Sequence, residues 1–192
     1  MARVKARRWD TLKSERVYAT PIFDLHRHQR SHPRRGEHDF FVLEAPAWVN
    51  IIPLTSANEV VMVRQFRHGI GDFTLEIPGG MVDPEDPSPL LAARREMREE
   101  SGYDSADVVE LGRVHPNPAI QPNYCYSFVA RNVRRVARPR LSGSEETEVV
   151  MVPLGEVKRL IASEKITHAL VIAAFSFFHV YNPPRKMRSI RA

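Results

Sequence analysis

The sequence predicts an α+β chain, a layered α/β/α domain preceded by extra strands. Three observations carry this. Five strand-like runs come before any confident helix, that helix has clear start and stop signals, and strands resume after it before two helices close the chain.

Residues 16–25 and 39–43 are rich in β-formers, and runs at 48–54, 59–67 and 73–78 follow, with Ser56-Ala57-Asn58 and Gly69-Ile70-Gly71 as turn signals between them. Gly79-Gly80, directly after Pro78, reads as a turn. The first helix opens from the proline-rich loop 84–89, with Ser88 as N-cap and Pro89 at the first helical position, and it stops after Ser101 at Gly102. Further strands are expected at 108–114, 124–130 and 148–152. The last helix, about 168–181, is apolar nearly all round (Leu170, Val171, Ile172, Phe175, Phe177, Phe178, Val180). It falls short of the roughly 20 residues of a membrane span, so it belongs in a core or a subunit contact. No membrane partner is expected.

The 28 Lys and Arg against 23 Asp and Glu leave a formal charge of +5. Arg131, Arg134, Arg135, Arg138 and Arg140 cluster in one stretch, and Arg185, Lys186, Arg188 and Arg191 form a basic C-terminal tail, 183–192. Neither is interleaved with aromatics that could stack on bases, so solvated segments are the reading and nucleic acid is not the expected partner. The single cysteine, Cys125, cannot form an internal disulfide, and residues 1–8 are basic without an apolar run. Both point to the cytoplasm.

Chemistry concentrates on the first helix. At 100° per residue, Glu96, Glu99 and Glu100 share one face, and Leu90, Ala93 and Met97 make a neighbouring apolar stripe. The glutamates repel one another and stand near the helix C-terminus, where the backbone dipole also disfavours them. A divalent cation would reverse both effects, and hard oxygen donors without clustered His or Cys select Mg²⁺ or Mn²⁺ over zinc. From the helix alone, a solvated acidic face salt-bridged to Arg94, Arg95 and Arg98 is an equal alternative.

Gly80, Asp86, Arg95-Glu96-Met97-Arg98-Glu99-Glu100 and Gly102-Tyr103, in this order, resemble the signature of the Nudix hydrolases. One departure stands out. The intermediate acid is Asp86 where Glu is usual, and eight residues instead of seven separate it from Arg95, which leaves the role of Asp86 open. The resemblance implies a Nudix-like α/β/α sandwich with a mixed sheet over 48–182. It implies Glu96, Glu99, Glu100 and the Gly79 carbonyl as ligands of Mg²⁺ or Mn²⁺, with Arg95, Gly80 and Gly102 structural.

Gln65-Phe66-Arg67, Leu75-Glu76-Ile77-Pro78-Gly79-Gly80 and Pro118 are similar to the ADP-ribose and nucleotide-sugar pyrophosphatase branch. That likeness implies Arg67 at the phosphates and Glu76 near the nucleoside. Trp48 is a further candidate for substrate contact. The general base would be Glu99 or a glutamate of the acidic loop, Glu145, Glu146 or Glu148. The expected reaction is hydrolysis of a nucleoside diphosphate sugar to a nucleoside monophosphate and a sugar phosphate. An RNA 5′-end pyrophosphohydrolase and a non-catalytic binding module are the rivals; the intact glutamates argue against the second. In that branch an N-terminal extension builds a homodimer. Residues 1–47 here carry Phe23, Leu25, Phe40, Phe41 and Val42, more apolar surface than a few strands hide alone, so the same is expected.

Overall fold

The structure, a computed structural model, describes residues 6–141 and 146–181. Glu145 and the basic tail lie outside the described residues. In chain order the elements are β1 (Asp10–Ala19), β2 (Asp24–His32), β3 (Gly36–Glu44), β4 (Trp48–Leu54), β5 (Glu59–Arg67), β6 (Asp72–Glu76), β7 (Gly79–Met81), α1 (Pro89–Ser101), β8 (Tyr103–Asp104), β9 (Asp107–Val114), β10 (Cys125–Arg131), β11 (Arg134–Arg135), β12 (Thr147–Pro153), α2 (Val157–Ala162) and α3 (Ala169–Val180).

β1, β2 and β3 form a separate antiparallel sheet. The strand expected over 16–25 is broken by a turn at Thr20, whose hydroxyl donates to the Phe23 carbonyl at 2.6 Å and accepts from the Phe23 N–H at 2.9 Å. Pro21 follows directly and has no N–H to give a ladder, so the chain turns here.

The main sheet has the order β12-β5-β4-β10-β9, with β6 added to β5 and β7 to β4. β4 and β10 run parallel and the other pairs antiparallel, so the expected mixed sheet is present. β4 and β5 share the single register pair Leu54↔Val60. Beyond it β7 takes Trp48 to Asn50 of β4 and β6 takes Val63 to Arg67 of β5, so the sheet splays into two leaves. The expected turn at Gly79-Gly80 is therefore corrected to a strand, and glycine is needed there for closeness. A Cβ on Gly79 would collide with the Val49 carbonyl.

Helices cover both faces. Ile52, Val60, Met62 and Val129 point to Val157, Val171 and Phe175 of α2 and α3, whereas their neighbours Ile51, Val61, Phe128 and Ala130 point to Ala92, Ala93 and Met97 of α1. Central strands buried on both faces read as continuous apolar runs, which is why 48–54 and 59–67 are legible to the residue. Truncating a ring such as Phe128, 1% exposed, removes about 3–5 kcal/mol.

α1 begins as expected, with the Ser88 hydroxyl accepting from Leu91 N–H at 3.3 Å, and ends at Gly102 with φ 76°. The arginine-rich stretch is more than a solvated loop. Its backbone closes the helix end: Val136 and Ala137 donate to the Gly102 carbonyl at 2.9 and 3.1 Å and Arg140 to the Glu99 carbonyl at 2.7 Å. The guanidiniums of Arg134, Arg135, Arg138 and Arg140 remain exposed, where positive charge also suits the helix dipole.

Candidate active site

In the gap between the two leaves lies a cavity of about 480 Å³. From one side α1 presents Glu96, Glu99 and Glu100; β7 supplies Gly79 and Gly80 at the floor; β5 and β6 bring Arg67 and Glu76; and Trp48 of β4, His168 ahead of α3 and Ile22 and Phe23 from the turn after β1 complete the wall. The structure thus gathers every expected metal-ligand and substrate residue around one space.

The three glutamates differ in setting. Glu100 is 4% exposed and its carboxylate accepts the Gly79 N–H at 3.0 Å, tying helix to floor. Glu96 is half-buried, and its carboxylate fills the place where a Cβ of Gly80 would stand, which explains the second glycine. Glu99 is the open one, its side chain 45% exposed.

Bare repulsion is not what holds this face apart. Arg95 reaches Glu96 at 2.9 Å and Glu99 at 3.1 Å, while its other nitrogens grip Asp86 at 3.2 and 2.8 Å. Arg95 thus joins helix and loop, and Asp86 is its partner on the loop despite the extra residue there. The Asp86 carboxylate also accepts the Asp83 N–H at 2.9 Å. The Arg95 hydrogen bonds hold the Asp86 carboxyl below the usual carboxylate range, and the same contact pushes the guanidinium further up. Arg94 turns away from the glutamates to Asp104, at 3.0 Å, and Arg98 approaches the same carboxylate at 3.9 Å.

On the opposite wall Arg67 makes a two-pronged pair with Glu76, both bonds 2.7 Å. The Thr74 hydroxyl donates to the same carboxylate, and His168 Nε2 lies 3.6 Å from it. Glu76 is 3% exposed. Burial works to raise its pKa, but the Arg67 bonds and charge, with His168, outweigh burial and leave it below the ordinary value. His168 is lowered, by burial first and by Arg67, against the pull of Glu76. Sequence reading missed His168: a lone histidine before an apolar helix carries no signal by itself.

Of the acidic-loop candidates, Glu146 is exposed and stands on the rim of an adjoining cavity beside Arg67 and His168. Glu148 pairs with Arg64 at 3.7 Å, and strand alternation sets it opposite to Thr147, whose hydroxyl reaches the Glu100 carbonyl at 3.2 Å. Glu148 is therefore turned away from α1. His115 is held by the Asn123 carbonyl at 3.1 Å and stacks on Tyr124.

Does this donor set fit a cation? Among the described residues no three His, Cys, Asp or Glu side chains converge as a closed coordination set, because Arg95 spans Glu96 and Glu99 and Glu100 turns to Gly79. The chemistry fits a hard divalent ion all the same. The donors facing the cavity from this side are carboxylates, Asp83, Glu96, Glu99 and Glu100, and one guanidinium, Arg95, is shared among three of them and Asp86 behind them, so acids outnumber that base among the described contacts.

The NUDIX domain family matches residues 45–175. The ADP-ribose pyrophosphatase of Mycobacterium tuberculosis is 29% identical over 173 residues, 89% of this chain and 83% of that protein. The ADP-ribose pyrophosphatase of Bacillus subtilis is 23% identical over 171 residues, 88% of this chain and 92% of that protein. A crystal structure of an ADP compounds hydrolase superposes with a TM-score of 0.81, covering 92% of this chain and 95% of that one at 19% identity, a likeness of fold.

Proposed function

The chain belongs to the NUDIX family, and we propose that it is a hydrolase of nucleoside diphosphate sugars of the ADP-ribose, ADP-sugar or GDP-mannose type. The observation that carries this is the cavity in the sheet gap, which sets an acidic helix face opposite an arginine locked in place. Relatives whose names state ADP-ribose, ADP-sugar and GDP-mannose pyrophosphatase activity support it.

Nudix hydrolases use divalent metal ions, here Mg²⁺ or Mn²⁺, which Glu96, Glu99, Glu100 and the Gly79 carbonyl would hold. The bound cation supplies charge neutralisation of the diphosphate and a more acidic water. The rest is done by the chain's own groups. Arg67, its fork fixed by Glu76, offers a preorganised positive charge to the phosphates and to the charge that grows on them in the transition state. Glu99, or Glu146 from the rim, takes the proton of the attacking water, and the bond from phosphorus to its bridging oxygen breaks to give a nucleoside monophosphate and a sugar phosphate. Trp48, with Ile22 and Phe23, forms the apolar wall on which the nucleoside rests. Glu148 is the weakest of the base candidates because its side chain pairs with Arg64.

We further propose a homodimer through residues 1–47. Supporting it, Leu12, Val17, Tyr18 and Phe41 of β1 and β3 are each at least half exposed on a sheet of only three strands. No helix among the described residues is long and apolar enough to cross a membrane. Cytoplasmic residence agrees with Cys125, a buried thiol pushed up to about 12 and so inert.

The deciding experiment is hydrolysis of ADP-ribose, ADP-glucose, GDP-mannose and triphosphorylated RNA with and without Mg²⁺ in ¹⁸O-water. Label in one monophosphate product and dependence on metal are expected for the sugars. Release of pyrophosphate from RNA alone, or full activity in chelator, would overturn the reading.

A further inference from the structure

His168 is the group on the Arg67 wall that the proposed chemistry leaves unused. It stands at the N-cap of α3 with extended backbone, a place where a short polar side chain commonly accepts a helix N–H, yet its ring makes no capping bond. The ring meets the cleft instead. It lines both the cavity of about 480 Å³ and the adjoining one of about 830 Å³, and its Nε2 lies 3.6 Å from Glu76 Oε2, the same oxygen that accepts from Arg67 Nη2.

We propose that His168 is the substrate-dependent cation of this wall: it takes up a proton from solvent when a diphosphate docks against Arg67 and returns it when the site empties. The inference rests on the proposed function, specifically on Arg67 facing the phosphates.

Charge balance carries it. Without substrate the guanidinium of Arg67 is matched by the buried Glu76 carboxylate, so the pair offers the phosphates a fixed fork and no net charge. A second cation on the imidazole is then unwelcome. Burial comes first in keeping the ring neutral, the Arg67 charge adds to it, and the partly positive first turn of α3 acts in the same direction, against the pull of Glu76. An arriving diphosphate brings two negative charges to Arg67, which offsets the guanidinium and favours the protonated ring. The other charged and titratable groups around the two cavities do not supply this charge. Glu146 and, across the cleft, Asp83, Glu96, Glu99 and Glu100 are acids, Arg95 is shared among acids of its own side, and His68 is exposed, edge to face with Phe66 at 5.2 Å. Because the bound state holds the extra proton, affinity rises as pH falls and weakens as pH rises.

The test is calorimetry of ADP-ribose on the slow variant Glu99→Gln, saturated with Mg²⁺, in buffers that differ in ionisation enthalpy. Both phosphates of ADP-ribose keep one charge each between pH 6 and 8, so a proton taken up belongs to the protein. Uptake of about 0.3 to 1 proton per site near pH 7 is expected, with Kd rising at least about threefold from pH 6 to pH 8. Both effects should vanish when His168→Gln is added and persist when His68→Gln is added. A ring that only braces Glu76 would change affinity without moving protons. Binding that is independent of buffer, or equal uptake after His168→Gln, would overturn the proposal. Melting curves establish that each variant is folded, and His168→Asn, which can cap α3, stands in where Gln weakens the fold. Failure of the wild type to bind or hydrolyse any nucleoside diphosphate sugar would instead strike the proposed function. Sulfate, also fixed in charge over this range, is then the probe. The NMR titration midpoint of the imidazole that is missing from His168→Gln should move up when sulfate is added to the wild type, and an unmoved midpoint sinks the inference.

Discussion

Two arginines face each other across the cleft and are used in opposite ways. Arg67 sets both prongs of its fork on one carboxylate: Glu76 is buried, meets the guanidinium with both oxygens and is further bonded by Thr74, with His168 beside it. Arg95 is divided among Asp83, Asp86, Glu96 and Glu99, of which Asp83 and Glu99 have side chains about half exposed. The first network is balanced and rigid, fit to hold a charge at one position. The second is under-neutralised and rearrangeable, fit to accept a further cation. The same residue types therefore do different work according to how many acids share one base.

The largest expected effect breaks the under-neutralised side. Glu99→Gln should lower kcat at least about a hundredfold at saturating metal, because it removes a metal ligand or the base itself. Its stability without metal should stay close to wild type. Bare repulsion would predict a gain, but Arg95 already offsets that repulsion, so a clear rise in Tm would show that the Arg95 contacts are not maintained in solution. The acidic loop divides the same way: Glu146→Gln should slow turnover if the rim supplies the base, and Glu148→Gln should leave kcat within about twofold. A strong loss in Glu148→Gln would overturn the opposite-face placement.

Next comes the balanced side. Arg67→Met strands the Glu76 carboxylate with Thr74 and His168 only and should cost about 2 kcal/mol in denaturant unfolding, discounted because Arg67 is 41% exposed. Arg67→Lys should recover part of the stability but little of kcat/KM, since an ammonium cannot reproduce the fork. Equal recovery of both would mean that only charge matters at this wall.

The smallest effect is in pH. His168 titrates below its ordinary value in the folded chain, so under about pH 6.5 the unfolded chain takes up a proton that the folded one does not, and stability falls as pH drops through that window. Glu76, also lowered, has the same sign at more acidic pH: its contribution is present above the ordinary carboxylate range and is lost as pH falls through the lowered value. His168→Gln should flatten the slope of Tm between pH 6.5 and 5 and leave the more acidic loss in place. An unchanged slope would show that His168 does not titrate in that window.

Legibility in the sequence follows locality. β4, β5 and α1 were readable because two-sided burial and helix capping write themselves into consecutive residues, from Trp48 to Leu54, Glu59 to Arg67 and Ser88 to Gly102. The helix face of Glu96, Glu99 and Glu100 was readable for the same reason. What escaped depends on contacts distant in the chain. β7 is a strand only because Gly79 and Gly80 lie against Val49 and Asn50; β8 and β11 are two-residue pieces that exist through each other; His168 matters through Glu76, and Asp86 through Arg95. The arginine cluster hid its role in the backbone, where side-chain type says nothing about which carbonyl an N–H will find.

The one-pair junction of β4 and β5 has a mechanical meaning. The leaves are joined a second time by the two-residue link Ile77-Pro78, whose Pro78 carbonyl accepts the Ile51 N–H at 2.9 Å, so the fork is braced near its corner and only the far edges stand apart. Beyond that brace no ladder pairing joins the β4–β7 leaf to the β5–β6 leaf across the opening among the described pairings. The width of the cleft is therefore set by strand topology, by where β6 and β7 take over from β4 and β5 as pairing partners.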